Sequence, residues 1–214
     1  MKKGWLALLA IVAAVGLSAC GLGAGSRANI TIGSKNFTEN IILAHMMAEI
    51  IEAKTGLKVE RKVNLGGSHV AWKALQNNDI QMYPDYTGTI VANYYGEKTG
   101  TSRETLDKAR ELLKKDKMTF TEPFGFNNTY TLAVTQETAN KYNLKTFSDL
   151  VKVSKELILG CSFEFEDRPD GYPGLQKAYG MNFKDVVGMD HGIIYRSLAE
   201  KKVDVIDAFS TDGQ

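Results

Sequence analysis

The feature that most constrains the fold is an alternation that runs along the chain twice. "NITIGS" (29–34) alternates apolar and polar residues as a short strand does. "FTENIILAHMMAEIIEAKTG" (37–56) follows with apolar residues at helical spacing, Thr38 placed as an N-cap and Gly56 as a stop. "LKVERKVNL" (57–65) reads as a second strand, "SHVAWKALQNND" (68–79) as a second helix and "IQMYPDY" (80–86) as a third strand. "SRETLDKARELLKKDK" (102–117) is an amphipathic helix with a solvated charged face. After the strand "YTLAVTQE" (130–137) a second strand–helix series runs through "FSDLVKVS", "LILGCSF", "PGLQKAYG", "DVVGMD", "GIIYRSLAEKK" and "VDVIDAF". Strands separated by helices predict an α/β fold with parallel sheets.

The two series resemble each other. Shifted by 123 residues without a gap, 67–87 lies on 190–210. Val70 then meets Ile193, Trp72 meets Tyr195 and Leu75 meets Leu198, while Ile80, Met82 and Tyr86 meet Val203, Val205 and Phe209. Identities are few, and two unrelated helix–strand units would give a similar pattern. As a pattern it predicts two similar lobes, each offering a helix N-terminus and a strand end. Ligands of open α/β sheets bind beyond the strand C-termini, so two such lobes would form a cleft.

Charge and cysteine content narrow the function. The formal net charge is +1 and no Lys/Arg run is present, which argues against a nucleic-acid surface. Lys2 and Lys3, the apolar residues 5–17 and the small residues before Cys20 form a secretory signal too short to span a bilayer. Leu17-Ser18-Ala19-Cys20 resembles the bacterial lipobox, which makes residues 1–19 the signal peptide and Cys20 the lipidated residue. "GLGAGSRA" (21–28) completes a flexible tether over 20–28. Only Cys161 then remains, so no intrachain disulfide forms, and "LILGCSF" makes it a small buried hydrophobe. His45, His69 and His191 have neither metal nor triad spacing, and no nucleophile–base pair is visible, so the residues call for neither an enzyme nor a cofactor.

"ITIGSKNFTENIILAHMMAEIIE", "NLGGSHVAWKAL", "DIQMYPDYTGT", "DGYPGLQKAYG" and "DVIDAFSTDGQ", in this order, resemble the substrate-binding lipoproteins of osmoprotectant ABC importers. That is the glycine betaine, choline and carnitine type, and the likeness runs from Asn29 to Gln214. The resemblance implies the type II periplasmic-binding-protein fold, two α/β lobes with a ligand cleft between them. Lobe 1 would cover 29–126 and lobe 2 127–208, with "NNTYTLAV" as the first crossing segment and 209–214 as the start of the second. Family members continue from there to complete lobe 1, so the resemblance implies a truncated member lacking that return. The partners it implies are a quaternary-ammonium ligand, the ABC permease and ATPase subunits, and the membrane through the lipid anchor.

A quaternary ammonium has no N–H to donate, and aromatic faces suit its diffuse charge and methyl groups. By resemblance Tyr83 and Tyr195 are the leading cage residues, with Tyr130 on the crossing segment as a third, while Tyr86 and Trp72 read as structural. Gln81 stands where many members carry an acidic residue, and its dipole would favour zwitterions over choline. Lys35, Ser68 and Arg168, with the helix N-termini after Gly67 and His191, would meet a ligand carboxylate. Glu164 would orient Arg168. The alternatives left open are a non-binding lipoprotein remnant and a binder of another small solute such as an amino acid.

Overall fold

The computed structural model describes residues 30–213; the signal segment, Cys20 and the tether lie outside the described residues. The chain builds two separate sheets. In the first, β1 (Ile30–Gly33) pairs in parallel with β2 (Val59–Lys62), Ile30 opposite Val59 and Gly33 opposite Lys62. Helix α1 (Thr38–Thr55) joins them and closes on β1 through Ala44 and Ala48, small residues that let it approach Ile32 and Val59. Its N-cap is Phe37, not Thr38, and carries no side-chain cap bond. Asn40 stabilises this corner instead, accepting from the Lys35 N–H at 2.7 Å and donating to the Pro84 carbonyl at 2.9 Å. Gly56 ends the helix at φ 71°, a left-handed conformation that favours glycine.

The expected third strand over 80–86 is reduced to one bridge. Gln81 N–H donates to the Thr31 carbonyl at 2.9 Å and Gly33 N–H to the Met82 carbonyl at 2.8 Å, with Ile32 opposite Met82. Pairing stops there because Pro84 has no N–H to continue a ladder. Helix α2 (Ser68–Gln76) leads into this bridge, and the chain beyond it turns into a buried π-helical segment, Thr89–Tyr94, before helix α3 (Ser102–Lys115). Ile90, Val91, Leu112 and Leu113 form the core between those last two elements.

The second sheet has four strands in the order β3-β6-β4-β5, formed by β3 (Tyr130–Val134), β4 (Ile158–Ser162), β5 (Asp185–Met189) and β6 (Val205–Phe209). β4 runs parallel to both β5 and β6, as the strand–helix alternation predicts. β3 departs from it and pairs antiparallel with β6, Tyr130 opposite Phe209 and Val134 opposite Val205. β3 enters this sheet from the first unit without a crossover helix, so the right-handed βαβ rule does not set its direction. Its expected tail is also shorter, because Thr135 caps a helix, α4 (Gln136–Tyr142), by accepting from Thr138 N–H.

Helices α5 (Phe147–Val153), α6 (Phe163–Asp167), α7 (Tyr172–Tyr179) and α8 (His191–Ala199) cover the two faces of this sheet. Leu150, Leu157, Leu159, Phe165, Met181 and Val205 form one core, and Met189, Ile194, Leu198, Val203 and Ile206 the other. Cys161 belongs to the first and is fully buried. Burial pushes its thiol up to about 12, with the Asp207 charge adding to the effect, so it carries no thiolate at neutral pH.

Gly160 on β4 shows how close the second core is. A Cβ there would lie 2.8 Å from both γ-carbons of Val203 and 3.0 Å from Met189 Cε. Gly160→Ala is expected to destabilise the protein by about 1–3 kcal/mol through overpacking. Denaturant melts would show it, and adding Val203→Ala is expected to recover part of the loss.

Candidate functional site

A cavity of about 1530 Å³ lies between the sheets, with walls from both. It is larger than the roughly 300–1,000 Å³ a small-molecule site needs, so its side chains must locate the chemistry.

One wall is a line of charges of alternating sign. Asp85 Oδ1 accepts from Lys35 Nζ at 2.6 Å, Lys35 Nζ donates to Ser68 Oγ at 3.0 Å, and Ser68 Oγ donates to Glu164 Oε1 at 2.7 Å. Arg168 Nη1 donates to the same Glu164 oxygen at 2.9 Å, and its Nε donates to Asp170 Oδ1 at 2.6 Å. Ser68 also donates its N–H to Glu164 Oε2 at 2.9 Å. That N–H opens α2, so a carboxylate from the second sheet caps a helix of the first. Ser162 starts α6 by accepting from Phe165 N–H at 3.2 Å, while its own hydroxyl donates to buried Asp207 at 2.8 Å. This holds in place the short helix that presents Glu164 and Arg168.

Burial works to raise the Glu164 carboxyl, yet the Lys35 charge, the two Ser68 donors and Arg168 together hold it below its ordinary value. The expected Glu164–Arg168 pairing is present. Lys35 and Arg168, expected to meet a ligand carboxylate, line the cavity with their charges already paired. Lys35, 3% exposed, is paired with Asp85, and Arg168, 5% exposed, with Glu164 and Asp170.

An adjoining part of the lining is aromatic. Phe37 stacks on Tyr86 with centroids 6.2 Å apart and meets Phe209 at 4.8 Å. Phe209 meets Tyr130 at 5.0 Å and His191 at 4.7 Å. These rings come from the start of α1, the loop after the bridge, the end of β6, the start of β3 and the start of α8. The antiparallel register that sets Tyr130 opposite Phe209 brings two of them together. Lys35 Nζ lies 5.1 Å from the Tyr86 centroid and the Arg168 guanidinium 5.1 Å from that of Tyr130, so these rings already attract cations.

The structure places three of the expected site residues as follows, Gln81 and Tyr83 among the cavity lining and Tyr195 outside it. Tyr195 is one helical turn past His191, which carries it about 6 Å from the cleft end of α8; it is absent from the cavity wall, and its hydroxyl donates to Asp212 at 2.5 Å. Gln81 is exposed and its amide is engaged with backbone and neighbour, accepting from Thr31 N–H at 2.8 Å and donating to Asn78 at 3.1 Å. Tyr83 lines the cavity, and its hydroxyl is bound by Asp85 at 2.5 Å and Tyr94 at 3.1 Å, in a group backed by Trp72 stacked on Tyr94. Tyr86, read from sequence as structural, instead stands in the aromatic wall, as does Tyr130. Phe37, Phe209 and His191 were missed as cleft rings. A signal for Phe209 existed, because the 123-residue offset sets it on Tyr86.

Residues 28–214 match the model of a family described as the substrate-binding domain of the ABC-type glycine betaine transport system. Over its whole length the chain is 38% identical to the carnitine transport binding protein OpuCC of Listeria monocytogenes, covering 73% of that protein. It is 30% identical to the glycine betaine-binding protein YehZ of Escherichia coli, covering all of this chain and 72% of YehZ. A crystal structure titled as a glycine betaine/carnitine/choline ABC transporter superposes with a TM-score of 0.63 at 37% identity, over 86% of this chain and 70% of the other.

The depressed Glu164 carboxyl makes the contact between the sheets acid-sensitive. Its stabilisation is fully present above the ordinary glutamate value of about 4.3 and is lost as pH falls from there through the lower folded value. Denaturant melts across the acid range are expected to show this loss in the wild type. Glu164→Gln is expected to be less stable at neutral pH and to flatten that acid limb.

Proposed function

The chain belongs to the family of substrate-binding domains of ABC-type glycine betaine transport systems, which bind rather than catalyse, and from that premise we propose that the aromatic wall is its ligand site. A trimethylammonium group sits among Phe37, Tyr86, Tyr130 and Phe209. The observation that carries this reading is their continuous ring contact, drawn from four separate segments. Each well-placed ring contributes on the order of 0.5–2 kcal/mol to a quaternary ammonium, and a cage of several selects it over hydrated cations. Lys35 and Arg168 are each already paired with carboxylates, so the trimethylammonium end carries the reading. Glycine betaine and carnitine both have that group, and the relatives' names point the same way.

The two sheet units act as the lobes of a type II periplasmic-binding-protein fold, 29–126 and 127–208, closing on the ligand. Closure shifts the population toward the form that an ABC permease and its ATPase accept. The chain works outside the cytoplasm, tethered through lipid on Cys20.

Calorimetry on the full chain with glycine betaine, carnitine and choline tests this. Saturable binding is expected, and Phe209→Ala and Tyr86→Ala are each expected to weaken it by about tenfold or more. Tyr195→Ala and Gln81→Ala are expected to stay within about twofold, since neither side chain belongs to the proposed cage. Absence of binding, or loss at Tyr195 without loss at Phe209, overturns the reading.

A further inference from the structure

Behind the aromatic wall stands a carboxylate that the proposed site does not use directly. Glu39, in the first turn of α1, is absent from the cavity lining. Its Oε1 accepts from the Tyr86 hydroxyl at 2.5 Å and from Asn128 Nδ2 at 2.9 Å. One carboxylate oxygen thereby joins α1, the loop that carries Tyr86 and the segment that leads into β3.

Most of the other carboxylates along the cavity are compensated by ion pairs, whereas Glu39 has, beyond its hydrogen bonds, only the start of α1. Asp85 is paired with Lys35, and Glu164 and Asp170 with Arg168. Asp190 accepts from Gly192 N–H as the N-cap of α8. Glu39 forms no ion pair among the described residues, and the donors that reach its Oε1 are neutral groups. Burial first, and then Glu39, hold the Tyr86 phenol well above its ordinary value, so it keeps its proton and donates it to the carboxylate.

A phenol that donates to an anion shifts electron density into its ring, and the negative face of that ring is what attracts a cation. We propose that Glu39 is a specificity-determining residue of this site, which orients Tyr86 and makes its face more attractive to a cationic head group than to an uncharged one of the same shape. The proposal rests on the aromatic-cage reading. Glu39 acts through Tyr86, so its effect belongs to the ligand's charge and not to its volume.

The test compares glycine betaine with 3,3-dimethylbutanoate, which replaces the ammonium nitrogen by carbon, on the wild type, Glu39→Gln, Tyr86→Phe and the double variant. The cage reading requires the wild type to prefer glycine betaine; equal binding of the two ligands removes that reading and this proposal with it. If that preference is present, Glu39→Gln is expected to weaken glycine betaine by about fivefold while leaving the carbon analogue within about twofold. In the Tyr86→Phe background the same substitution is expected to have no further effect. An equal loss for both ligands, or a full loss that persists without the Tyr86 hydroxyl, overturns the role of Glu39 and leaves the cage intact. A readout on the unmutated side chain covers the case in which Glu39→Gln does not fold. Ultraviolet resonance Raman difference spectra of wild type against Tyr86→Phe are expected to show a phenol donating to an anion, and a phenol that only accepts overturns the proposal.

Discussion

Everything else at the cleft depends on the line of alternating charge from Asp85 through Lys35, Ser68, Glu164 and Arg168 to Asp170. Burying these groups costs free energy, which each offsets through its neighbours in the line and, for Asp85, also through the Tyr83 and Tyr94 hydroxyls. The line is also a direct polar connection between the sheets, alongside that from Asn36 to Asp190, since Ser68 begins α2 and Glu164 lies in the first turn of α6. Removing one member would leave a buried charge of the opposite sign uncompensated, which costs more than the lost bond. The geometry of the cleft is therefore held by electrostatics on one side and by ring packing on the other.

The aromatic side is a product of topology. β3 runs antiparallel to β6 because it arrives without a crossover helix, and that direction sets Tyr130 opposite Phe209 at the cleft end of the sheet. Phe37 reaches the same place from the start of α1, where it takes the N-cap position and spares its side chain for packing. Ligand binding beyond strand ends is the general rule for open α/β sheets, and here it also brings residues far apart in the chain into one wall. Lys35 and Arg168 each lie near one of these rings, so the charged and aromatic walls meet at Tyr86 and Tyr130.

Much of the fold was legible in the residues. The apolar period and Gly56 mark α1 and its end, and the second strand–helix series gives a parallel core of β4, β5 and β6. The family likeness rested on motifs that keep their order along the chain. The individual site residues were less legible. Tyr83 and Tyr86 flank Pro84 and Asp85 in the same short stretch, and composition alone does not say which partners each ring meets at the cleft. Tyr83 turns to Asp85 and Tyr94, while Tyr86 turns to Phe37 and Glu39. On α8 the aromatic at the helix start, His191, is the one at the cleft, and Tyr195 lies a turn too deep.

The sequence by itself determined the α/β class, the burial of Cys161 and the family, because these follow from periodicity and motif order. Only the tertiary structure decided that Lys35 and Arg168 are already paired, that Gln81 serves a strand edge, and that Phe37, Phe209 and Glu39 belong to the same neighbourhood as Tyr86. Those facts depend on contacts between residues tens to more than a hundred positions apart. Local pattern says what a side chain is able to do, and long-range packing settles which partner it meets.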